Sequence, residues 1–267
     1  MPHAPSPYII PPVRISFDMD GVLADMDAAL ARIAEQEFGV TAPAAAPADS
    51  ATGTAATSAT AAEPGDAPPA YDTALLNSLT ARQQSRLWQR VRDTRNFWET
   101  LDECEPGTVR RLQKLAHELR WDVLFVTQRP GTAGRTQQLQ TQHWLKRRGF
   151  EYPAVYTTIG SRGAIASALT LDAHIDDRLQ HCVDVATESK AWPILLWREA
   201  ESYDRVRAGG VNLGIAVVRS VGEALDRIEQ ADRAGAREAE AGARGAEAGA
   251  RGAEAPRLLD RLRRAFR

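Results

Sequence analysis

The 267-residue sequence contains little cysteine and little lysine, and it has no long apolar run. Its two cysteines, Cys104 and Cys182, are too few for a disulfide framework or a thiolate metal cage. No apolar stretch is long enough to span a bilayer, and the first twelve residues lack the pattern of a signal peptide. We therefore expect a cytoplasmic protein without a membrane span.

An excess of charge of one sign is also absent. Lys and Arg number 33 against 35 Asp and Glu, which gives a net charge of −2. This balance does not favour a nucleic-acid polymer as a partner. Only Lys114, Lys146 and Lys190 are lysines. The strong preference for arginine means that an arginine can stand where another protein would use a lysine.

The order of apolar segments predicts the fold class. From residue 106 onward, helical patterns alternate with short, continuous apolar strands. Strands of this kind are typical of a parallel sheet that is covered by helices on both faces. We predict an α/β fold with a doubly wound parallel sheet over residues 12–230. A small helical cap, residues 24–105, is inserted after the first strand.

Three segments differ from this pattern. Residues 41–70 are almost entirely small or polar, and we predict a disordered insertion there. Residues 231–255 include a seven-residue repeat of Ala, Gly, Arg and Glu with no large apolar seam, so we predict a flexible or weakly helical linker after a core helix that ends near Glu229. We predict a basic amphipathic helix at residues 256–267, which would dock on a protein partner or an acidic membrane surface, or would be a fraying end or a helix packed on its own core.

Acidic residues follow the first predicted strand, residues 13–17. Asp18 and Asp20 are two positions apart, so an extended backbone would direct both side chains to one face, and Gly21 then permits a sharp turn. Open α/β sheets bind ligands beyond the carboxyl ends of their strands. Carboxylates in this place can hold Mg²⁺, attack a phosphorus atom or transfer a proton.

Other reactive groups follow later strands in the same way. Thr127 ends the strand after residue 122, and Asp176 and Asp177 follow the strand that begins at Ala173. These groups lie in three characteristic segments, FDMDGVLAD at 17–25, FVTQRP at 125–130 and HIDDR at 174–178, and a fourth such segment is NFWETLDECEPG at 96–107. On these segments the chain resembles the haloacid-dehalogenase-like hydrolases, and among them the 5′-nucleotidases of the deoxyribonucleotidase type. The resemblance covers residues 13–220, without the low-complexity insertion.

The resemblance implies a Mg²⁺-dependent phosphomonoester hydrolase with an aspartyl-phosphate intermediate. Asp18 would be the nucleophile, and Asp20 would protonate the leaving oxygen and later accept a proton from water. The metal would be bound by Asp18, by the backbone carbonyl of Asp20 and by Asp176 or Asp177, of which Asp176 is favoured. Thr127, with the backbone amide of Gln128, would bind the phosphoryl oxygens.

The chain departs from the family pattern at one position. The family has a lysine between its second and last motifs, and the matching segment here has no lysine. Arg162 is the nearest cation and is expected to bind phosphate in its place, although arginine and lysine differ in geometry. The presence of Asp20 favours phosphatase chemistry, because the dehalogenases of this group lack that aspartate and the ion-pumping ATPases carry threonine there.

Substrate choice is expected to come from the insert. Phe97 and Trp98 match an aromatic pair that could stack on a nucleobase, or they could simply pack the insert on the core. Arg129 could line the phosphate pocket or only shape a turn. His143, His174 and His181 are expected to have a structural or surface role rather than a catalytic or metal-binding one. The sequence favours a nucleoside monophosphate as the small phosphorylated substrate. The alternatives are a sugar phosphate or another small phosphoester, or a metal- or phospholigand-binding scaffold with little turnover.

Overall fold

The computed structural model describes residues 12–40 and 73–247. The predicted disordered insertion at 41–70, the end of the repeat at 248–255 and the terminal segment at 256–267 lie outside the described residues. None of the described helices combines the length and apolarity that a membrane crossing requires.

Strands and helices alternate along most of the described chain. In chain order they are β1 (Arg14–Phe17), β2 (Ala24–Asp25), α1 (Met26–Phe38), α2 (Ala74–Ser78), α3 (Ala81–Asp93), a 3₁₀ turn (Phe97–Glu99), β3 (Asp102–Glu103), α4 (Thr108–Leu119), β4 (Asp122–Thr127), α5 (Gln137–Arg147), β5 (Ala154–Thr157), α6 (Arg162–Ala168), β6 (Ala173–Asp176), α7 (Leu179–Glu188), β7 (Trp192–Leu196), α8 (Tyr203–Leu213), β8 (Ala216–Val218) and α9 (Val221–Glu247).

Six of these strands form one parallel sheet in the order β5-β4-β1-β6-β7-β8. The chain builds outward from β1 to β4 and β5, and then returns to add β6, β7 and β8 on the other side. This reversal makes β1 and β6 neighbours at a topological switch point, where doubly wound sheets form a crevice at their carboxyl edge. The predicted α/β fold with a doubly wound parallel sheet is confirmed.

The central strands are apolar because both of their faces are covered. Ile15 and Phe17 of β1 are fully buried, and every residue of β6 and β7 is buried. Burial of a large apolar side chain contributes about 1.5–3 kcal/mol, so these strands provide much of the driving force for folding. The carboxyl ends of β1 and β6 are therefore held rigidly, and the groups that follow them are held with them.

The insert leaves and rejoins the core through an antiparallel pair of short strands. In this pair Ala24 of β2 lies opposite Glu103 of β3. Helix α1 begins where the Asp25 carboxylate accepts a hydrogen bond from the Ala28 amide, and α3 begins with a capping box of Thr80 and Gln83. The helices α1 and α3 pack on each other, and their buried side chains join the main hydrophobic core.

Two features of the C-terminal half differ from expectation. Helix α8 was not predicted, because its sequence includes adjacent glycines and few apolar residues. Helix α9 does not end near Glu229 but continues to Glu247, into the repeat. Ala, Glu and Arg are strong helix formers, so the repeat can extend an existing helix without an apolar seam of its own.

Candidate active site

The turn after β1 brings two aspartates and a glycine to the carboxyl edge of the sheet. Asp18 and Asp20 are both largely buried, and the amide of Asp20 donates to Oδ2 of Asp18 over 3.1 Å. Gly21 has a φ of +78°, and a Cβ on it would lie 1.9 Å from Oδ2 of Asp177. Glycine is favoured here, because the left-handed backbone strains any other residue and a side chain would have to displace the Asp177 carboxylate.

Helix α6 brings Arg162 to the same place. The Arg162 side chain is 2% exposed, its Nη2 lies 3.0 Å from Oδ1 of Asp18, and its Nε lies 3.8 Å from Oδ2 of Asp176. The next residue, Gly163, lets α6 pack closely on α7, since a Cβ at Gly163 would lie 2.1 Å from the carbonyl oxygen of Asp184. The structure thus places a buried guanidinium beside the predicted nucleophile.

Asp176, at the end of β6, is hydrogen-bonded through both oxygens. Its Oδ1 accepts from the amide of Arg178 at 2.9 Å, and its Oδ2 contacts the rings of His174 at 3.1 Å and His181 at 2.9 Å. Burial alone would raise the pKa of Asp176, but the hydrogen bonds from these two histidines hold it well below its usual range. Both histidines therefore contact a carboxylate of the candidate site, and His174 also hydrogen-bonds to Ser16.

Asp177 is in a different situation. It is partly exposed, and its carboxylate lies against the Gly21 turn. Burial and the neighbouring Asp176 and Asp18 raise its pKa well above the usual range. Asp176 as the metal ligand stays a prediction, and the position of Asp177 against the Gly21 turn makes it a second candidate.

Asp18 is likewise a buried carboxylate with a negatively charged neighbour. Its burial and the charge of Asp176 raise its pKa to about 7, against the opposing effect of Arg162. Buried carboxylates that raise each other's pKa form a site that a divalent cation would stabilise. Asp18, the Asp20 carbonyl and Asp177 would supply oxygen ligands, which suit Mg²⁺. Among the described residues, no group of three or more His, Cys, Asp or Glu side chains is arranged to hold a metal ion.

Thr127 ends β4 next to β1 in the sheet. Its side chain is fully buried, and among the described residues its hydroxyl has no hydrogen-bond partner. A buried hydroxyl without a partner costs about 1–3 kcal/mol, so such groups usually mark a place for a ligand or water. Gln128 follows it at the carboxyl edge, where its backbone amide was predicted to bind a phosphoryl oxygen.

The aromatic pair of the insert does not form the predicted substrate pocket. Phe97 is 4% exposed and Trp98 is fully buried. The Trp98 indole N–H donates to the Pro130 carbonyl at 3.1 Å, and the Trp98 amide donates to Gln140 at 3.1 Å. Neither ring offers a free face to a nucleobase, so the structure corresponds to the alternative in which the pair packs the insert on the core.

Two arginines near the site were missed or underestimated. Arg129 forms a buried ion pair with Asp20, and Arg198 donates to the carbonyl oxygens of Gly21 and Val22 while it also pairs with Glu105. Arg198 lies just after β7, far from the first motif in sequence, and no local pattern could have indicated its contacts. For Arg129, its position just beyond β4 was the available signal.

No protein-family model matches the sequence, and no curated protein matches it. Among solved structures, the chain is similar to a haloacid dehalogenase-like family hydrolase from Xanthomonas campestris. The two are 11% identical with a TM-score of 0.34, and the match covers 76% of this chain and 98% of that chain. A likeness of this degree does not establish a family, an activity or a substrate.

Proposed function

We propose that the protein is a Mg²⁺-dependent phosphomonoester hydrolase that forms an aspartyl-phosphate on Asp18. The observation that carries this proposal is the ion pair between Arg162 and Asp18, with Nη2 and Oδ1 3.0 Å apart at the switch point of the sheet. A cation in this position can draw a phosphate dianion toward a carboxylate that would otherwise repel it.

The proposed reaction has two steps. Asp18 attacks phosphorus while Asp20 gives a proton to the leaving ester oxygen. Water then attacks the aspartyl-phosphate, and Asp20 takes its proton. Thr127 and the Gln128 amide are proposed to bind the phosphoryl oxygens, and the unpartnered Thr127 hydroxyl supports this role.

Mg²⁺ would lower the charge repulsion between substrate and carboxylates when it is bound. We propose that Asp18, the Asp20 carbonyl and Asp177 hold it. Arg162 is proposed to take the place of the family lysine: its guanidinium reaches the nucleophile, and it can also bind phosphate through two N–H groups.

The proposed substrate is a nucleoside monophosphate, on the strength of the sequence resemblance. The burial of Phe97 and Trp98 supports a second candidate, a sugar phosphate or another small phosphoester that needs no aromatic platform. Both candidates use the same chemistry and the same residues of the core, so they differ only in the group attached to the phosphate.

The test is phosphate release from a panel of nucleoside and sugar monophosphates, with Mg²⁺ and with a chelator. We expect turnover with Mg²⁺ only, and a loss of at least about 10³-fold in Asp18→Asn, since the variant lacks the nucleophile. The preferred member of the panel identifies the substrate class. Metal binding without turnover of any member would instead favour the phospholigand-binding scaffold.

A further inference from the structure

Arg129 and Asp20 form a buried, two-point ion pair. Nε of Arg129 lies 2.8 Å from Oδ2 of Asp20, and Nη2 lies 2.5 Å from Oδ1. The two side chains are 0% and 4% exposed. Paired contacts of this kind fix the plane of a carboxylate as well as its position, which a single hydrogen bond does not.

The Arg129 guanidinium is itself held on its remaining sides. Its Nη1 donates to the Thr141 hydroxyl at 2.7 Å, and the hydroxyl in turn donates to the Gln137 carbonyl at 2.8 Å. The guanidinium also lies 4.8 Å from the centre of the Trp98 ring. The hydrogen bonds of Trp98 to Pro130 and Gln140 fix that ring against the loop that carries Arg129.

We propose that Arg129 is a positioning residue that orients Asp20 for proton transfer, and that the buried Trp98 of the insert holds Arg129 in place. This proposal rests on the proposed function, because it assigns Asp20 the proton transfers. The guanidinium directs its Nε and Nη2 to Asp20, and its Nη1 to Thr141, rather than to a phosphate. Trp98 then supports the reaction indirectly, through Arg129 and Asp20, and does not contact the substrate.

The proton balance of the first step gives this proposal a distinct signature. The bond from phosphorus to the ester oxygen breaks, its electron pair stays on that oxygen, and the oxygen takes a proton that Asp20 has first accepted from solvent. A nitrophenolate leaves readily without a proton, whereas the alkoxide of a sugar or nucleoside does not. A misplaced Asp20 should therefore slow alkyl phosphates more than aryl phosphates.

The experiment compares wild type with Arg129→Lys on 4-nitrophenyl phosphate and on the best alkyl monophosphate of the panel. We expect kcat/KM, which reports the first step, to fall about 10–100-fold more for the alkyl than for the aryl substrate. Arg135→Lys is the matched control, because Arg135 lies on the same loop but pairs with Glu99. Arg135→Lys should leave the ratio of the alkyl to the aryl phosphate rate unchanged.

The double variant Asp20→Asn with Arg129→Lys separates positioning from direct phosphate binding. If Arg129 acts through Asp20, the double variant is no slower than Asp20→Asn alone. The proposal would be overturned if the rate losses of the two single variants multiply in the double variant, with a raised KM and no dependence on the leaving group. That result would leave the proposed function intact. If the wild-type protein turns over no substrate, both the positioning role of Arg129 and the proposed function are wrong.

Loss of folding is checked separately, because removal of one partner of a buried ion pair is strongly destabilising. Thr141→Val keeps the ion pair and removes only the second support of the guanidinium. We expect it to show the same leaving-group pattern at a smaller size, about 3–10-fold. Its thermal transition should stay cooperative but lie a few degrees below that of wild type, because the buried guanidinium loses this acceptor. An equal effect on both substrates in this folded variant would contradict the positioning role.

Discussion

At the scale of the residue, Asp18 combines the chemistry of the site with its main electrostatic cost. The pKa of Asp18 is raised to about 7, from a usual value of 3.8, by burial and by Asp176. The folded protein therefore binds a proton more tightly than the unfolded chain does. Without metal, the free energy of unfolding of the protein therefore decreases as the pH rises from about 4 to about 7, because folding must then bury the charged form of Asp18.

Asp18→Asn should consequently stabilise the metal-free protein at pH 8 and have little effect at pH 4. Arg162 is not left unpaired in this variant, because Asp176 remains beside the guanidinium and the Asn oxygen can accept its N–H. We expect a gain of about 1–3 kcal/mol at pH 8 in chelator, measured by urea denaturation of both proteins at the two pH values. With saturating Mg²⁺, wild type should instead be more stable than Asp18→Asn, since only wild type has the full set of metal ligands. A variant that is equally stable or less stable at pH 8 in chelator would show that the carboxylate is not under strain.

Gly21 offers a second test at a single position. Gly21→Ala and Gly214→Ala both place a side chain at positive φ, +78° and +70°, but only the first meets a carboxylate, and nothing lies within 4 Å of Gly214. Each should lose about 1 kcal/mol of stability from backbone strain. Only Gly21→Ala should weaken Mg²⁺ binding, by at least about 10-fold in calorimetry, because it displaces Asp177. Equal Mg²⁺ affinity in the two variants would exclude Asp177 as a ligand.

At the scale of the element, the close contact of α6 with α7 determines where Arg162 lies. Gly163→Ala puts a methyl group against the Asp184 carbonyl, whereas Gly209→Ala in α8 has nothing within 4 Å. We expect the first to lose about 1–3 kcal/mol of stability and most of the activity, and the second to gain about 0.5–1 kcal/mol without a change in activity. Thermal melts and phosphate release on both variants check this. Full activity in Gly163→Ala would mean that Arg162 does not depend on the helix contact.

The elements also show what sequence reasoning can and cannot provide. Buried strands such as β4 and β7 are continuous apolar runs, so they were predictable to within a residue or so. The turn chemistry of Gly21 was predictable for the same local reason. The Arg129–Asp20 pair and the burial of Trp98 depend on the packing of the insert against the loop after β4, which no local pattern encodes.

At the scale of the whole molecule, helix α9 connects the C-terminal part of the chain to the core. The Trp121 indole donates to Asp232 at 2.9 Å, Ala231 is buried, and the Glu105 carboxylate accepts from the amides of Val221 and Gly222. Glu105 also binds Arg198, so the start of α9 and the turn after β1 share one anchor. The site therefore depends on the first turns of α9.

Two truncations test how much of α9 the site requires. Removal of residues 238–267 should shift the melting temperature by less than about 2 °C and leave phosphate release within about twofold, since the described contacts with Trp121 and Glu105 remain. Removal of residues 231–267 deletes Ala231 and Asp232, and should lower the melting temperature by several degrees, about 2–6 °C. A loss of activity in the shorter truncation would place the repeat in the catalytic machinery.

The central claim is that Asp18 becomes covalently phosphorylated, and a trapping experiment tests it most directly. The protein is mixed with a ³²P-labelled monophosphate and Mg²⁺, quenched in acid within the first turnover, and digested for peptide mapping. The account predicts a hydroxylamine-sensitive label on the peptide that contains Asp18, absent in Asp18→Asn. Steady phosphate release by Asp18→Asn at the rate of wild type, or a label on another residue, would contradict it.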